Sequence, residues 1–559
     1  MEYKIYEKTS DDNQLLYVYK DMDREVPLNS LYSPRKEVER FIKKLSGVKG
    51  KLLIFIGFGN GSLLEVLLDD QIYKENVHFL FIEPFPELKI SQNHKDIFQE
   101  VQKLSYINIE DFSSLLFAKF ISKFISVPVE IKIHPNYSRV NQAKIKECLQ
   151  IIEEGIQTKQ ILNNTESKFA VDWIVEPLLN TQNILRSINL KELQGRFAGE
   201  RAMLVASGPS LKFNIDYIKK NKDSFHIFSV GSALRALSEN EIQPDFVLSV
   251  DASDRNYETH FKGIDYKGNL IYETMSNSNI QNNHRGPLVV SRSLSDYVSP
   301  RTFKNLYSFP QASPSVAIYT LQVIAFLGFS EVYMVGQDLA LINGEYYSKG
   351  IKHHEGMKDL KAELYVESNK GESIGTTRSL KIFLDSFEAL VKTLPKNMKL
   401  YNLSESGAKI DGVPYISTDS ISVGAKNNIT IDCINLMSAS KDTNTILIEF
   451  IQELEILKRE VEIAEKGLER ILKLGVVSAD DMGKVVKRFR NVSKHKILEE
   501  IILSQLTYMF DSIINKLVYF EKKQRYTSDD LLIFVKELNS FYKLVSSFVK
   551  DLLINERLL

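Results

Sequence analysis

The sequence predicts an α/β protein: two Rossmann-like parallel-sheet domains, over 1–160 and 201–420, a helical connector over 161–200, and an all-α bundle over 421–559. Three observations carry this. Short continuous apolar runs such as LLIFIG and AMLVA read as strands buried on both faces, the mark of a parallel sheet. Helix-compatible segments alternate with them, as crossover connections require. All 15 prolines lie at or before Pro414, and the proline-free remainder repeats apolar residues at steps of three and four.

In the first domain, LLIFIG (Leu52–Gly57) leads into a glycine turn (Gly57, Gly59, Gly61) and the helix-compatible SLLEVLL. A second strand, HFLFIEP, delivers Glu83, 22 residues after Gly61. Strand, glycine turn, helix, strand and acid form the dinucleotide or S-adenosylmethionine pattern, in which glycines admit a ligand to the backbone and the acid binds ribose. The same pattern also arises in a doubly wound domain whose crevice is reduced or empty. A methyltransferase centred on Gly57–Glu83 is the activity this turn would imply.

In the second domain, AMLVA, FHIFSV, DFVLSVD, NLIYETM, PLVVS and EVYMVG read as successive strands. Ligands of such sheets bind beyond the strands' carboxyl ends. Ser207, Gly208, Pro209 and Ser210, then Gly231 and Ser232, then Gln337 and Asp338, fall at those ends. Free N–H groups at a helix start suit a phosphate, and Ser315 opens the helix PSVAIYTLQVIAFLG, read as starting at its proline. Asp251 and Asp338 could bind metal or ribose, orient a base, or simply hold their loops. His353 and His354, in KGIKHHEGMKD, have the pKa range for general-base work.

The tail carries three apolar stripes: Phe450 to Ile471, Ile502 to Phe520, and Leu532 to Leu552, the last after a Thr527-Ser528-Asp529 cap cluster. They predict three long helices packed as a bundle.

Composition bounds the function. With 71 Lys+Arg against 72 Asp+Glu, the chain lacks the basic excess of a nucleic-acid coat. A hydrophobic fraction of 43% excludes bulk disorder. Two distant cysteines, Cys148 and Cys433, exclude a disulfide scaffold or zinc ribbon. No run reaches the roughly 18 apolar residues of a membrane span, and the N-terminus lacks a signal-peptide core, so the expectation is a cytoplasmic protein without stable membrane insertion. HExxH, CxxC and GxxxxGK[ST] are all missing, against a zincin or a P-loop enzyme.

Five words in order, LVASGPSL (Leu204–Leu211), PDFVLSVD (Pro244–Asp251), PSVA (Pro314–Ala317), VGQDLAL with NGEYYSKG (Val335–Gly350) and YNLSESGAKIDG (Tyr401–Gly412), resemble the motility accessory factor (Maf) family of bacterial flagellin glycosyltransferases. The central part is also similar to CMP-sialic-acid sialyltransferases, with Ser207 where their turn has Asn and Tyr347 where a tyrosine contacts the leaving phosphate. Ala340 replaces a second tyrosine. No histidine lies at Gly371–Arg378, where their base is expected, which leaves His353, His354, Asp251 and Glu372 as candidates. The same domain is similar to MptE-like archaeal hydroxymethylpterin pyrophosphokinases.

The resemblance implies transfer of a nonulosonic acid (pseudaminic, legionaminic or sialic in type) from its CMP ester to a Ser or Thr of flagellin, for flagellar assembly and motility. The Gly208–Ser210 turn, Ser315 and Tyr347 would stabilise the departing phosphate, and Arg378 would clamp the sugar carboxylate. No cofactor or metal is obligatory, although Asp251 could recruit a divalent ion. The helical tail would dock flagellin, the partner protein. The alternatives are a non-catalytic flagellin chaperone or scaffold and a pyrophosphokinase-like phosphotransferase.

Overall fold

The computed structural model describes residues 3–22, 24–124, 127–342, 344–345, 361–429, 431, 437, 443–504 and 528–558. Its contacts divide the chain into two units, Met1–Asn163 and Asn164–Leu559.

The first unit holds a four-stranded parallel sheet in the order β6-β5-β4-β7, from β4 (Leu52–Ile56), β5 (His78–Glu83), β6 (Leu104–Asn108) and β7 (Val129–Ile133). Every residue of β4 and β5 is buried, which is why these runs carry no polar alternation. Ahead of them lies an antiparallel sheet that the sequence reading did not anticipate: β1 (Lys4–Thr9), β2 (Leu15–Lys20) and β3 (Glu25–Pro27). Helix α1 (Ser62–Asp69) follows the glycine turn.

The second unit is built on an eight-stranded sheet, β17-β14-β9-β10-β11-β12-β13-β8, with every pairing parallel. Its strands are β8 (Ile188–Asn189), β9 (Arg201–Val205), β10 (His226–Val230), β11 (Phe246–Ser249), β12 (Asn269–Glu273), β13 (Leu288–Ser291), β14 (Glu331–Val335) and β17 (Lys399–Asn402). A separate hairpin pairs β15 (Leu364–Glu367) with β16 (Ser373–Thr376). The edge strand β8 comes from 161–200, so the segment read as a connector contributes to the sheet. Helix α2 (Gln142–Leu179) contains the boundary between the units.

Chain order explains where a ligand can enter. From β9 the chain proceeds to β10, β11, β12 and β13 on one side, and β14 then takes the opposite side of β9. The direction reverses between β9 and β14, and such a switch point opens a crevice at the carboxyl edge. In a parallel sheet each crossover helix starts at that edge. Here these are α3 (Leu211–Asn221), α4 (Gly231–Glu239), α5 (Val316–Leu327) and α6 (Arg378–Val391).

In the tail, α7 (Thr443–Leu474) buries Phe450, Leu454, Leu457, Val461, Ala464, Leu468 and Ile471, the stripe read from its periodicity. Helix α9 (Ser528–Leu553) buries Val535, Leu538, Phe541, Val545, Phe548 and Leu552. A further helix, α8 (Ala479–Ser493), starts at a capping box of Ser478 and Asp481. Of the middle stripe Ile502 is buried, whereas Leu506, Met509, Ile513, Leu517, Phe520 and the cap residue Thr527 lie outside the described residues. The bundle core also takes in Ala170, Ile174, Val175 and Leu178 of α2 and Val298 of the central domain. Among the described residues no helix is long and apolar enough to cross a membrane.

Candidate functional site

The glycine turn after β4 is filled by the chain itself. A Cβ on Gly57 would lie 2.5 Å from the Tyr137 ring, one on Gly59 would lie 2.5 Å from Asn29 Oδ1, and one on Gly61 would lie 2.1 Å from His94. Glu83, the acid expected on a ribose, is buried and accepts N–H groups from Phe58 (3.0 Å) and Phe85 (3.1 Å) and the hydroxyl of Tyr137 (2.8 Å). These glycines therefore serve internal packing, and the acid holds the turn closed. Burial pushes Glu83 up to about 7 against the pull of those donors. Tyr137→Phe should cost about 1 kcal/mol in urea unfolding and move Glu83 further up, because one donor to the carboxylate is lost. An unchanged midpoint would show that the hydroxyl contributes nothing.

At the switch point the turn after β9 meets the turn after β14. The Ser210 N–H donates to Asp338 Oδ2 at 2.8 Å, and the Gly208 N–H donates to the Gly336 carbonyl at 2.8 Å. A Cβ on Gly208 would stand 2.5 Å from both Asp338 Oδ2 and the Gly336 oxygen. This corrects the expectation of free N–H groups for phosphate at Gly208–Ser210. Pro209 has no N–H, and Asp338 already supplies the anion at the start of α3. Asp338 is almost wholly buried, which raises its carboxyl, and its Oδ1 has no hydrogen-bond partner among the described residues. Loop 403–411 closes over it: the Ala408 N–H donates to the Asp338 carbonyl at 2.7 Å, and the Ser404 and Ser210 hydroxyls are 2.8 Å apart. Leu339 next to it sits at φ 52°, a left-handed conformation that a branched side chain adopts at a cost of about 1–3 kcal/mol. Gln337 is buried beside it.

The turns after β9 and β10 are tied by hydroxyls, Ser232 donating to Ser207 at 2.8 Å. Gly231 begins α4 without a side-chain cap, and Phe261 sits where its Cβ would be. Helix α5 starts at Val316, not at Pro314. Ser315 is its cap, half-buried, with its hydroxyl accepting the Ile318 N–H at 3.4 Å. The starts of α4 and α5 both lie at the carboxyl edge of the sheet.

Asp251 lies exposed beyond β11, where its carboxylate accepts the Ser253 N–H at 2.8 Å. Arg378, at the start of α6, ion-pairs with Glu363 at 2.9 Å. Both side chains are exposed, so the pair is weak and can exchange partners. Glu372 is exposed in the β15–β16 turn region. Tyr347, His353 and His354 lie outside the described residues. Among the described residues no three His, Cys, Asp or Glu side chains are grouped to hold a metal ion.

Sequence reasoning passed over two groups. Ser404 lies in the word YNLSESGAKIDG, but its place above Asp338 depends on contacts nearly two hundred residues away. Glu273 ends β12 within NLIYETM, at the same kind of position that singled out Asp251. It is only partly accessible, and its Oε2 accepts the Ser293 hydroxyl at 3.0 Å. Nearby Asp296 is fully buried and accepts from the Thr274 hydroxyl (2.5 Å) and from the N–H groups of Val298 (2.8 Å) and Ser299 (3.0 Å). Burial first, then the Asp296 charge, raise Glu273 to about 7.

Comparison with known proteins agrees with this layout. The family model described as 6-hydroxymethylpterin diphosphokinase MptE-like matches residues 177–344, which run from the end of α2 past β14. The chain shares its fold with the Maf glycosyltransferase of Magnetospirillum magneticum AMB-1, with a TM-score of 0.51 at 15% identity, over 98% of this chain and 92% of that one. An uncharacterized protein of Treponema pallidum (strain Nichols) is 27% identical over 118 residues, 20% of this chain. That match spans 55% of the relative's own length.

Proposed function

We propose that this chain is a glycosyltransferase that moves a nonulosonic acid from its CMP ester to Ser or Thr hydroxyls of flagellin. The observation that carries the reading is the reversal of strand order between β9 and β14, in a chain that follows the fold of a Maf glycosyltransferase over 98% of its length. CMP is the leaving group, and its single phosphate needs preorganised donors. The starts of α4 and α5 would supply these through Gly231, Ser232 and Ser315, with the Ser207–Ser232 hydroxyl pair between two turns. Each helix start is worth about 0.3–1 kcal/mol toward an anion. Asp338 would act through the shape of the turn, by fixing the relation of β9 to β14. Asp251 and Arg378 stand at the same edge for the acceptor and the donor carboxylate. Catalysis would need no metal, since the donor carries one phosphate rather than a diphosphate.

Co-expression with flagellin and a CMP-nonulosonate pathway tests this. Flagellin should gain mass in steps of one sugar residue, and the isolated protein should bind CMP. Flagellin of unchanged mass together with no CMP binding would overturn the assignment. The MptE-like match favours a second reading, diphosphoryl transfer from ATP to a pterin alcohol at the same edge of the sheet. Formation of a pterin diphosphate with ATP, and no reaction with CMP-sugars, would select it.

A further inference from the structure

Resting on the glycosyl-transfer reading above, we propose that Glu273 is the general base that takes the proton of the acceptor hydroxyl, with Ser293 and Asp296 as its positioning residues. Glu273 pairs in register with Ser291 on β13, so the two side chains share one face of the parallel sheet. Ser291 Oγ meets the Tyr319 hydroxyl at 2.7 Å, and Tyr319 lies in the first turn of α5. The carboxylate therefore stands on the face that α5 covers, at the carboxyl end of β12 and partly accessible.

In the step, the acceptor oxygen forms a bond to the anomeric carbon while the bond from that carbon to the phosphate oxygen breaks. CMP leaves with the electron pair. Glu273 Oε1 takes the hydroxyl proton and later returns it to solvent, while Oε2 is held by Ser293. Charged and titratable groups face Glu273 from two elements, Asp296 from the loop after β13 and Tyr319 from α5. Arg292 directs Nη1 to the Asp296 carbonyl at 2.9 Å. Burial first, and then the charge of Asp296, which three donors hold in place, make Glu273 a stronger base than an exposed carboxylate.

The experiment measures transfer from pH 5 to 9 together with CMP affinity. Wild-type transfer should rise with pH to a plateau above about 7. Glu273→Gln should lose about 10²–10⁴-fold in kcat and lose the pH limb, with CMP affinity unchanged. Glu273→Asp should keep the limb at reduced rate. Asp296→Asn should move the limb toward acid, and Ser293→Ala should move it toward alkali, shifts that a packing role would not produce. A Glu273→Gln protein that transfers at the wild-type rate, or one that loses CMP affinity, overturns the base assignment, as does a limb unmoved by Asp296→Asn. A wild-type protein that neither binds CMP nor transfers sugar overturns the glycosyl-transfer reading itself.

Discussion

Arg557→Ala should destabilise the protein by about 2–3 kcal/mol at pH 8 and by far less at pH 5.5. The guanidinium lies 2.9 Å from Glu176, whose side chain is 0% exposed, and 3.6 and 3.4 Å from Asp172 and Asp254. Removing one partner of a buried pair typically costs about 3–5 kcal/mol; here the arginine is 26% exposed, which lowers the figure. Burial raises Glu176 to about 7, and Arg557 is the main opposing influence. Without the arginine the folded-state value climbs further above that of the unfolded chain. A raised carboxyl contributes stability that is intact at low pH and is lost as pH rises through the folded value. The variant's penalty therefore appears where Glu176 must ionise, above about pH 7. Urea unfolding followed by Trp173, the single tryptophan, at the two pH values measures it. Equal penalties at both would show that Glu176 does not titrate in this range.

The same contact bears on the helical tail. Glu176 accepts the Ser278 N–H at 2.7 Å and an Asn277 amide hydrogen at 3.2 Å, and the Asn277 N–H donates to the Asp251 carbonyl at 3.0 Å. Arg557 thus ties the end of the chain to the loop carrying Asp251. Removing everything after about residue 440 would take away that tie and uncover Ile174, Leu178 and Val298. Such a truncation tests folding as much as flagellin docking, so single exposed substitutions on α7 are the better probe of docking.

Gly208→Val should cost at least ~1–3 kcal/mol and abolish CMP binding. The Gly336 oxygen, 2.5 Å from the new Cβ, is main chain and cannot swing aside, and the Asp338 carboxylate is fixed by the Ser210 N–H. The two turns would be forced apart at the carboxyl edge of the sheet. Gly263→Ala, with open space around it at φ 78°, should cost only about 1 kcal/mol and leave CMP binding intact. Thermal unfolding and calorimetric titration with CMP separate the two; normal CMP affinity in Gly208→Val would remove the switch-point turns from the site.

The parallel strands were legible because burial on both faces leaves an uninterrupted apolar run, and Phe450 to Ile471 because one face of a long helix repeats without a break. The strands β1 to β3 were not, since β1 is mostly exposed and β3 spans three residues. Glycines announced that backbone would be approached closely, but not by what. At Gly57, Gly59 and Gly61 the approaching groups are Tyr137, Asn29 and His94, and at Gly208 they are Asp338 and Gly336. All are remote in sequence, so a ligand-binding turn and a self-filled turn look alike until the fold is known. Glu273 escaped notice for a related reason: its environment is made by Ser293 and Asp296, two strand-lengths on, and no spacing rule connects them.

The most direct test of the account is to soak crystals of the full chain with CMP. The phosphate should appear at the carboxyl edge of the central sheet, against the starts of α4 and α5. Nucleotide density in the glycine turn after β4, or an edge that stays empty at saturating CMP, would contradict it.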